Sequence, residues 1–219
     1  MILLIDTSQE TATVALFKGG SILFSEENKI AKEHATWLHM AVKRLLEKAG
    51  ISIGELEAVS IISGPGSYTG LRVGLSAAKG ICYGLKIPLI TQNTLKVMAE
   101  SMKSVAEEKN ALICPLIDAR RDEVFTAIYN ISMEELLPPG AMILDKNAFE
   151  SFLLKHNIIF CGSGAFKWQK INTSSKAIFE PQKDINQAFG LYSQVDFIKK
   201  NWADPVYSEP VYLKEFFSY

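Results

Sequence analysis

The chain has 219 residues, and its 23 Lys and Arg against 24 Asp and Glu leave a formal net charge of −1, so bulk electrostatics point to neither nucleic-acid nor membrane binding. Hydrophobic residues make up 48% and charged residues 21%, ordinary for a soluble globular protein with one large core or two small ones. The first apolar run breaks at Asp6, too early for a signal peptide, and no run nears the ~18 residues of a spanning helix; Cys82, Cys114 and Cys161 sit in apolar surroundings and read as reduced thiols of a cytoplasmic protein.

In chain order, residues 2–6 and 11–17 are predicted to pair as strands around a polar turn at 7–10, with a third strand at 21–26 after Gly19-Gly20. A helix follows over 33–49, closed by Gly50. Ser52 and Glu55 have capping-box spacing for one short turn before a buried strand at 58–62. A glycine-rich turn leads into a helix over 71–85, then a strand at 87–91, and a helix capped by Asn93 or Thr94 that runs to about 108. The second half opens with a hairpin over 111–131. Asp145 is expected to cap a helix reaching His156, a strand covers 158–161, and a helix covers 185–201. The tail from 203 to 219, with Pro205 and Pro210, is predicted to be extended.

The turn reads Ser63-Gly64-Pro65-Gly66-Ser67-Tyr68-Thr69-Gly70-Leu71-Arg72. Glycines between a strand and a helix N-terminus let backbone N–H groups approach an anion, so a phosphate is one expected guest. A tight turn that only makes room for a helix is the other reading. The loop is not a Walker A motif, because Leu71-Arg72 stands where Lys-Ser or Lys-Thr would be needed, and its glycine spacing does not fit a dinucleotide fingerprint.

An internal repeat adds to this. Leu3-Leu4-Ile5-Asp6 running on to Thr13–Phe17 is matched by Pro115-Leu116-Ile117-Asp118 running on to Phe125–Tyr129, both at an offset of 112. Ile61–Gly66 is matched by Ile159-Phe160-Cys161-Gly162-Ser163-Gly164 at an offset of 98. Two acidic hairpins and two glycine loops in the same order suggest a duplicated unit with a cleft between its copies, divided near Asn110.

This order of elements, doubled, resembles the actin-like ATPase superfamily that includes sugar kinases and heat-shock ATPases. Ile5-Asp6-Thr7-Ser8, the Ser63–Arg72 loop and Ile117-Asp118-Ala119-Arg120-Arg121 are more specific. Together they resemble the TsaB (YeaZ-type) family of tRNA threonylcarbamoyladenosine biosynthesis proteins, most densely over 2–95 and 114–129. The resemblance implies an accessory subunit of a bacterial complex that modifies the adenosine beside the anticodon. Its partners would be a catalytic paralogue with an Asn-His-x-x-x-His metal site and a small ATPase subunit, with tRNA met only through the complex.

The paralogue's metal motif falls where this chain reads Asn93-Thr94-Leu95-Lys96-Val97-Met98. Thr94 and Met98 cannot replace two neutral imidazole donors. His34 and His39 lie five residues apart and point about 140° away from each other on a helix, and His156 is in the other half, so no metal site of the chain's own is expected. There is no Gly-x-Ser-x-Gly elbow and no His-Glu-x-x-His for hydrolytic chemistry. Asp6 and Asp118 either cap their turns or hold a hydrated magnesium ion, with capping the reading preferred. Arg120 and Arg121 are solvated, or bind a phosphate or an acidic partner.

Two helices look built for contact: the first through Trp37, Met40 and Ala41, the second through Leu71, Gly74, Ala77, Ala78 and Ile81, either covered by the chain's own layers or completed by the paralogue. The sequence therefore predicts an α/β, actin-like ATPase (ribonuclease-H-like) fold of two duplicated lobes, residues 1–109 and 110–219, acting as a non-catalytic subunit. Candidate nucleotide contacts are Asp6, Thr7 and Ser8 at the first tip, Gly64, Gly66 and Gly70 in the first loop, and Asp118, Gly162 and Gly164 in the second half. The chain is expected to carry no cofactor of its own, with weak ATP or ADP binding in the cleft or at the complex interface, and a homodimer when alone, left open. The alternatives are a small ATP-dependent kinase with Asp118 as base or metal ligand, and a nucleotide-binding regulator.

Overall fold

A computed structural model describes residues 1–30 and 33–214. The chain forms two compact units, each built on a five-stranded sheet.

The first unit holds Met1–Thr94 and Asn186–Tyr212. Its sheet has the order β3-β2-β1-β4-β5. β1 (Ile2–Asp6) pairs antiparallel with β2 (Ala12–Lys18), setting Ile5 opposite Val14, and β2 pairs antiparallel with β3 (Ser21–Asn28). β1 also pairs parallel with β4 (Ala58–Gly64), which pairs parallel with β5 (Leu89–Asn93). β1 and β4 are buried along their whole length, as near-continuous apolar runs at the centre of a sheet covered on both faces must be. On one face Val14, Leu16, Val59 and Ile61 meet Leu38, Val42 and Leu45 of α1 (His34–Ala49) and Leu75 and Ala78 of α2 (Tyr68–Leu85). Alternation turns Phe17 and Ser60 to the opposite face, where α7 (Asn186–Lys199) lies: Gly190 fits against the Phe17 ring and Ser193 donates to Ser60 Oγ at 2.8 Å. Gly50 closes α1 at φ 66°, and the Ser52 N–H donates to the Glu55 carboxylate at 2.7 Å, as the capping-box spacing predicts.

The second unit holds Leu95–Ile185 and the described end of the chain at Leu213 and Lys214. Its sheet has the order β10-β9-β6-β7-β8. β6 (Ala111–Asp118) pairs antiparallel with β7 (Glu123–Tyr129) and parallel with β9 (Asn157–Cys161); β7 pairs antiparallel with β8 (Glu135–Ile143), and β9 pairs parallel with β10 (Ala177–Phe179). Each pairing repeats one in the first unit, so the duplication read from the sequence extends to the whole sheet. Ile113 and Ile117 face a core with Met98 and Met102, from α3 (Thr94–Ser101) and its junction with α4 (Lys103–Lys109). Leu112, Cys114 and Leu116 face the other core, with Phe149, Leu153 of α5 (Glu150–Leu153) and Trp168 of α6 (Ala165–Gln169).

Several elements differ from the sequence reading. The chain crosses to the second unit after Thr94 rather than near Asn110, because Leu95, Met98 and Ala99 pack on the second sheet, and α7 with residues up to Tyr212 belongs to the first unit. The helix expected from 94 to 108 is two, broken at Met102. Asp145 does not cap a long helix: its carboxylate accepts the Asn147 N–H at 2.8 Å in a local turn, and α5 is only four residues long. β8 and β10 were not predicted. The last five residues of the tail lie outside the described residues.

Candidate functional site

Each unit carries an acidic hairpin tip next to a glycine turn. In the first unit Asp6 ends β1 with 5% of its surface exposed, and its Oδ1 accepts the Ser8 N–H at 2.8 Å. Burial pushes this carboxyl above the ordinary range, with the Ser8 N–H and nearby His34 pulling the other way. The Thr7 hydroxyl donates to the Gly70 carbonyl at 2.7 Å, and the Ser8 carbonyl accepts the Ser67 N–H at 2.7 Å. Ser67 caps α2 by accepting the Gly70 N–H at 3.3 Å, and its carbonyl accepts the Leu71 N–H at 2.8 Å.

The glycines have definite neighbours. A Cβ at Gly66 would run into the Ser8 carbonyl, at Gly70 into the Thr7 carbonyl, and at Gly74 into the Thr7 hydroxyl. Gly64, at φ 131°, lies under the backbone of Val211, whose N–H donates to the Ser63 carbonyl at 2.8 Å. The loop thus clasps the hairpin tip and receives the C-terminal segment. The N–H groups of Ser67, Gly70 and Leu71 all have acceptors within the unit.

The second unit repeats the clasp. Gly162, at φ 90°, and Gly164 lie against the Leu116–Ile117 backbone, and the Gly164 N–H donates to the Leu116 carbonyl at 2.8 Å. Asp118 Oδ1 accepts the Arg120 N–H at 2.6 Å and the Lys167 ammonium at 2.6 Å, while the Asp118 N–H donates to Ser163 Oγ at 3.1 Å. Both carboxylates therefore cap their turns. Lys167 was not singled out from the sequence, and its spacing of 49 residues from Asp118 gave no signal.

At the end of β5, the Thr94 hydroxyl donates to the Pro65 carbonyl of the glycine turn at 2.6 Å, both within the first unit. Met98 is fully buried in the second unit against Gly162. Among the described residues no group of three His, Cys, Asp or Glu is placed to hold a metal ion. The three cysteines are free and buried; burial pushes the Cys82 thiol up to about 11 and the Cys161 thiol up to about 12.

The predicted contact helices divide sharply. Ala41, Leu71, Gly74, Ala77 and Ala78 are buried within the first unit, covered by its own layers, which is one of the two readings the sequence left open. Small residues on α2 instead allow close approach to Thr7 and the sheet. The covering layer on its outer side includes the segment after α7: Lys79 donates to the Val206 and Ser208 carbonyls, each at 3.0 Å, and Arg72 lies 3.9 Å from the Tyr68 ring centroid and donates to the Tyr212 hydroxyl at 2.9 Å. Met40 keeps 53% of its surface, Trp37 is half-buried, and Ile81 lines a groove of about 390 Å³ with His39, Val42 and Leu46.

Two sheets of one topology, each with an acidic tip clasped by a glycine turn, define the actin-like ATPase and sugar-kinase class of fold. A polyphosphate/ATP-glucomannokinase from Arthrobacter sp. strain KM shares it at a TM-score of 0.51 and 10% identity over 91% of this chain and 98% of that one. YeaZ from Pseudomonas aeruginosa matches at a TM-score of 0.75 and 23% identity, over 97% of this chain and 99% of that one. The family model of TsaD, tRNA N6-adenosine threonylcarbamoyltransferase, matches residues 26–189. The tRNA threonylcarbamoyladenosine biosynthesis protein TsaB of Bacillus subtilis is 32% identical over 65% of this chain, an alignment spanning 62% of that protein's length. TsaB of Buchnera aphidicola subsp. Schizaphis graminum is 29% identical over 84% of this chain and 86% of its own. The chain belongs to the family that the TsaD model describes, and the two curated relatives just named are TsaB proteins.

Proposed function

We propose that this chain is a non-catalytic subunit in the formation of threonylcarbamoyladenosine in tRNA, acting in the cytoplasm beside a catalytic partner of the TsaD type. The observation that carries the reading is the use of Thr94 and Met98. They stand where the resemblance puts the metal-binding imidazoles of the catalytic relative, and here one bonds the Pro65 carbonyl while the other fills a core. The names of the TsaB relatives support the pathway, and the TsaD-type homologues are consistent with a catalytic partner of that kind.

The glycine turns also support a supporting role. The Ser67 and Gly164 N–H groups are bonded to the hairpin tips and the Gly70 and Leu71 N–H groups to Ser67, so these four are not open to a nucleotide phosphate, which weakens the kinase alternative. A small ATPase subunit completes the proposed assembly, and tRNA is engaged within it. The test is reconstitution of tRNA threonylcarbamoylation with the chain present or omitted, with ATP turnover by the isolated chain measured in parallel. The reading expects modification only when the chain is present and no sustained turnover by the chain alone. Equal modification without it would overturn the role, and ATP turnover lost in Asp118→Ala would favour the kinase.

A further inference from the structure

Arg120 and Arg121 form the tip of the β6–β7 hairpin at φ 69° and φ 48°, two consecutive non-glycine residues in the left-handed region. That backbone is held from all sides. The Arg120 N–H bonds the Asp118 carboxylate at 2.6 Å, the Arg120 carbonyl accepts the Glu123 N–H at 3.1 Å, and the Arg121 carbonyl accepts the Lys167 ammonium at 2.6 Å. Neither guanidinium has a hydrogen bond or ion pair among the described residues, and both residues are exposed. Two neighbouring carboxylates are already matched, Asp118 by Lys167 and Glu123 by Lys214. The turn thus spends its internal bonds on fixing a backbone whose two adjacent forks point at nothing in their own unit.

The helix that braces the turn adds an aromatic. Phe166 precedes Lys167 on α6 and keeps 50% of its surface, with the Lys170 ammonium 5.2 Å from its ring centroid. Planar guanidinium forks match phosphate oxygens, and an exposed ring beside a cation suits stacking of an unpaired base. An acidic protein surface would use the forks but has no comparable need for the ring.

We propose that the β6–β7 tip and α6 form a direct RNA contact, in which Arg120 and Arg121 grip backbone phosphates and Phe166 stacks on a base of a single-stranded loop. This rests on the proposed role in tRNA modification and deepens it, because it gives the chain its own hold on the RNA inside the assembly. The chain's overall charge of −1 does not oppose a local contact of this size.

The experiment measures binding of a fluorescent anticodon stem-loop RNA by the full chain assembled with its catalytic partner, across a range of salt. The double change Arg120→Gln and Arg121→Gln should weaken binding ~10-fold and lower the salt slope by about 1.4–1.8, the loss of two phosphate contacts, with melting and partner binding unchanged. Phe166→Ala should weaken binding with the slope unchanged. Arg120→Lys with Arg121→Lys keeps both charges and should retain most of the slope. RNA affinity and slope equal to wild type in the Gln pair would overturn the proposal, as would loss of partner binding in place of RNA binding. Photocrosslinking of the same RNA to the full chain is independent of modification activity: adducts at Phe166 support the contact, and adducts confined to other segments contradict it. Modification that proceeds without the chain would count against the role itself, a separate result.

Discussion

Asp6 and Asp118 make the same bond in the two units: each Oδ1 accepts the backbone N–H two residues on, from Ser8 at 2.8 Å and from Arg120 at 2.6 Å. Their surroundings differ. Asp6 is buried, and Asp118 is exposed and paired with Lys167. One position of a duplicated unit has thus kept its turn-closing bond while its environment diverged.

Asp6→Asn should therefore raise the melting temperature at neutral pH. The folded carboxyl titrates above its unfolded value because of burial, so its contribution to stability is fully present at low pH and is lost as pH rises through the folded value. Asn keeps the acceptor for the Ser8 N–H without the charge. Melting at pH 8 and at pH 4 should show a gain that shrinks in acid. A variant less stable than wild type at pH 8 would contradict this account of the tip.

Gly66→Ala should destabilise the first unit by about 1–3 kcal/mol, since a Cβ there would run into the Ser8 backbone. The constraint is close approach: Gly66 is absent from the positive-φ positions, so a special dihedral is not what requires glycine. Denaturant unfolding of the variant checks this, and unchanged stability would mean the turn is not clasped.

Ala77→Arg and Met40→Arg should behave oppositely. Ala77 is in the core of the first unit, so an unpaired charge there should cost about 3–5 kcal/mol and abolish or sharply lower melting. Met40 is 53% exposed, so its variant should melt normally. If Ala77→Arg melts like wild type, α2 is not buried on that side.

Tyr212→Ala should loosen the C-terminal segment while leaving the cores intact. Tyr212 accepts from Arg72 and its ring lies 5.1 Å from that of Tyr68, so its loss frees the segment that bonds Ser63. Hydrogen exchange should show faster exchange at Val211, with melting lowered by no more than about 1 kcal/mol of stability. Unchanged protection at Val211 would place the restraint elsewhere.

The β1–β2 and β6–β7 hairpins, the parallel strands β4, β5 and β9 and both glycine turns were legible because each has a local signature: apolar runs, Ile-Asp ends, and glycines beside a strand end. β8 was hidden by Pro138, Pro139 and Gly140, which read as a break. It is an edge strand, where missing donors are tolerated. β10 is three residues long, too short for a period. The sequence left two readings of α2 open because an all-round apolar helix gives no sign of what covers it. Here α1, the sheet and residues 206–212 do so, and the last of these lie more than 120 positions away. The site's Asp and Gly positions were found, but their partners Lys167 and Val211 depend on tertiary contacts that no spacing records.

The central claim is that this chain supports threonylcarbamoylation without contributing chemistry. The most direct measurement is the rate of tRNA threonylcarbamoylation in a reconstituted system with Asp6→Asn and Asp118→Asn combined in this chain, after melting and partner binding confirm an intact subunit. The account predicts a rate within about twofold of wild type, against background when the chain is omitted; twofold is roughly 0.4 kcal/mol of barrier. A fall to the omitted-chain level, with fold and assembly intact, would show that these carboxylates take part in the reaction and would contradict it.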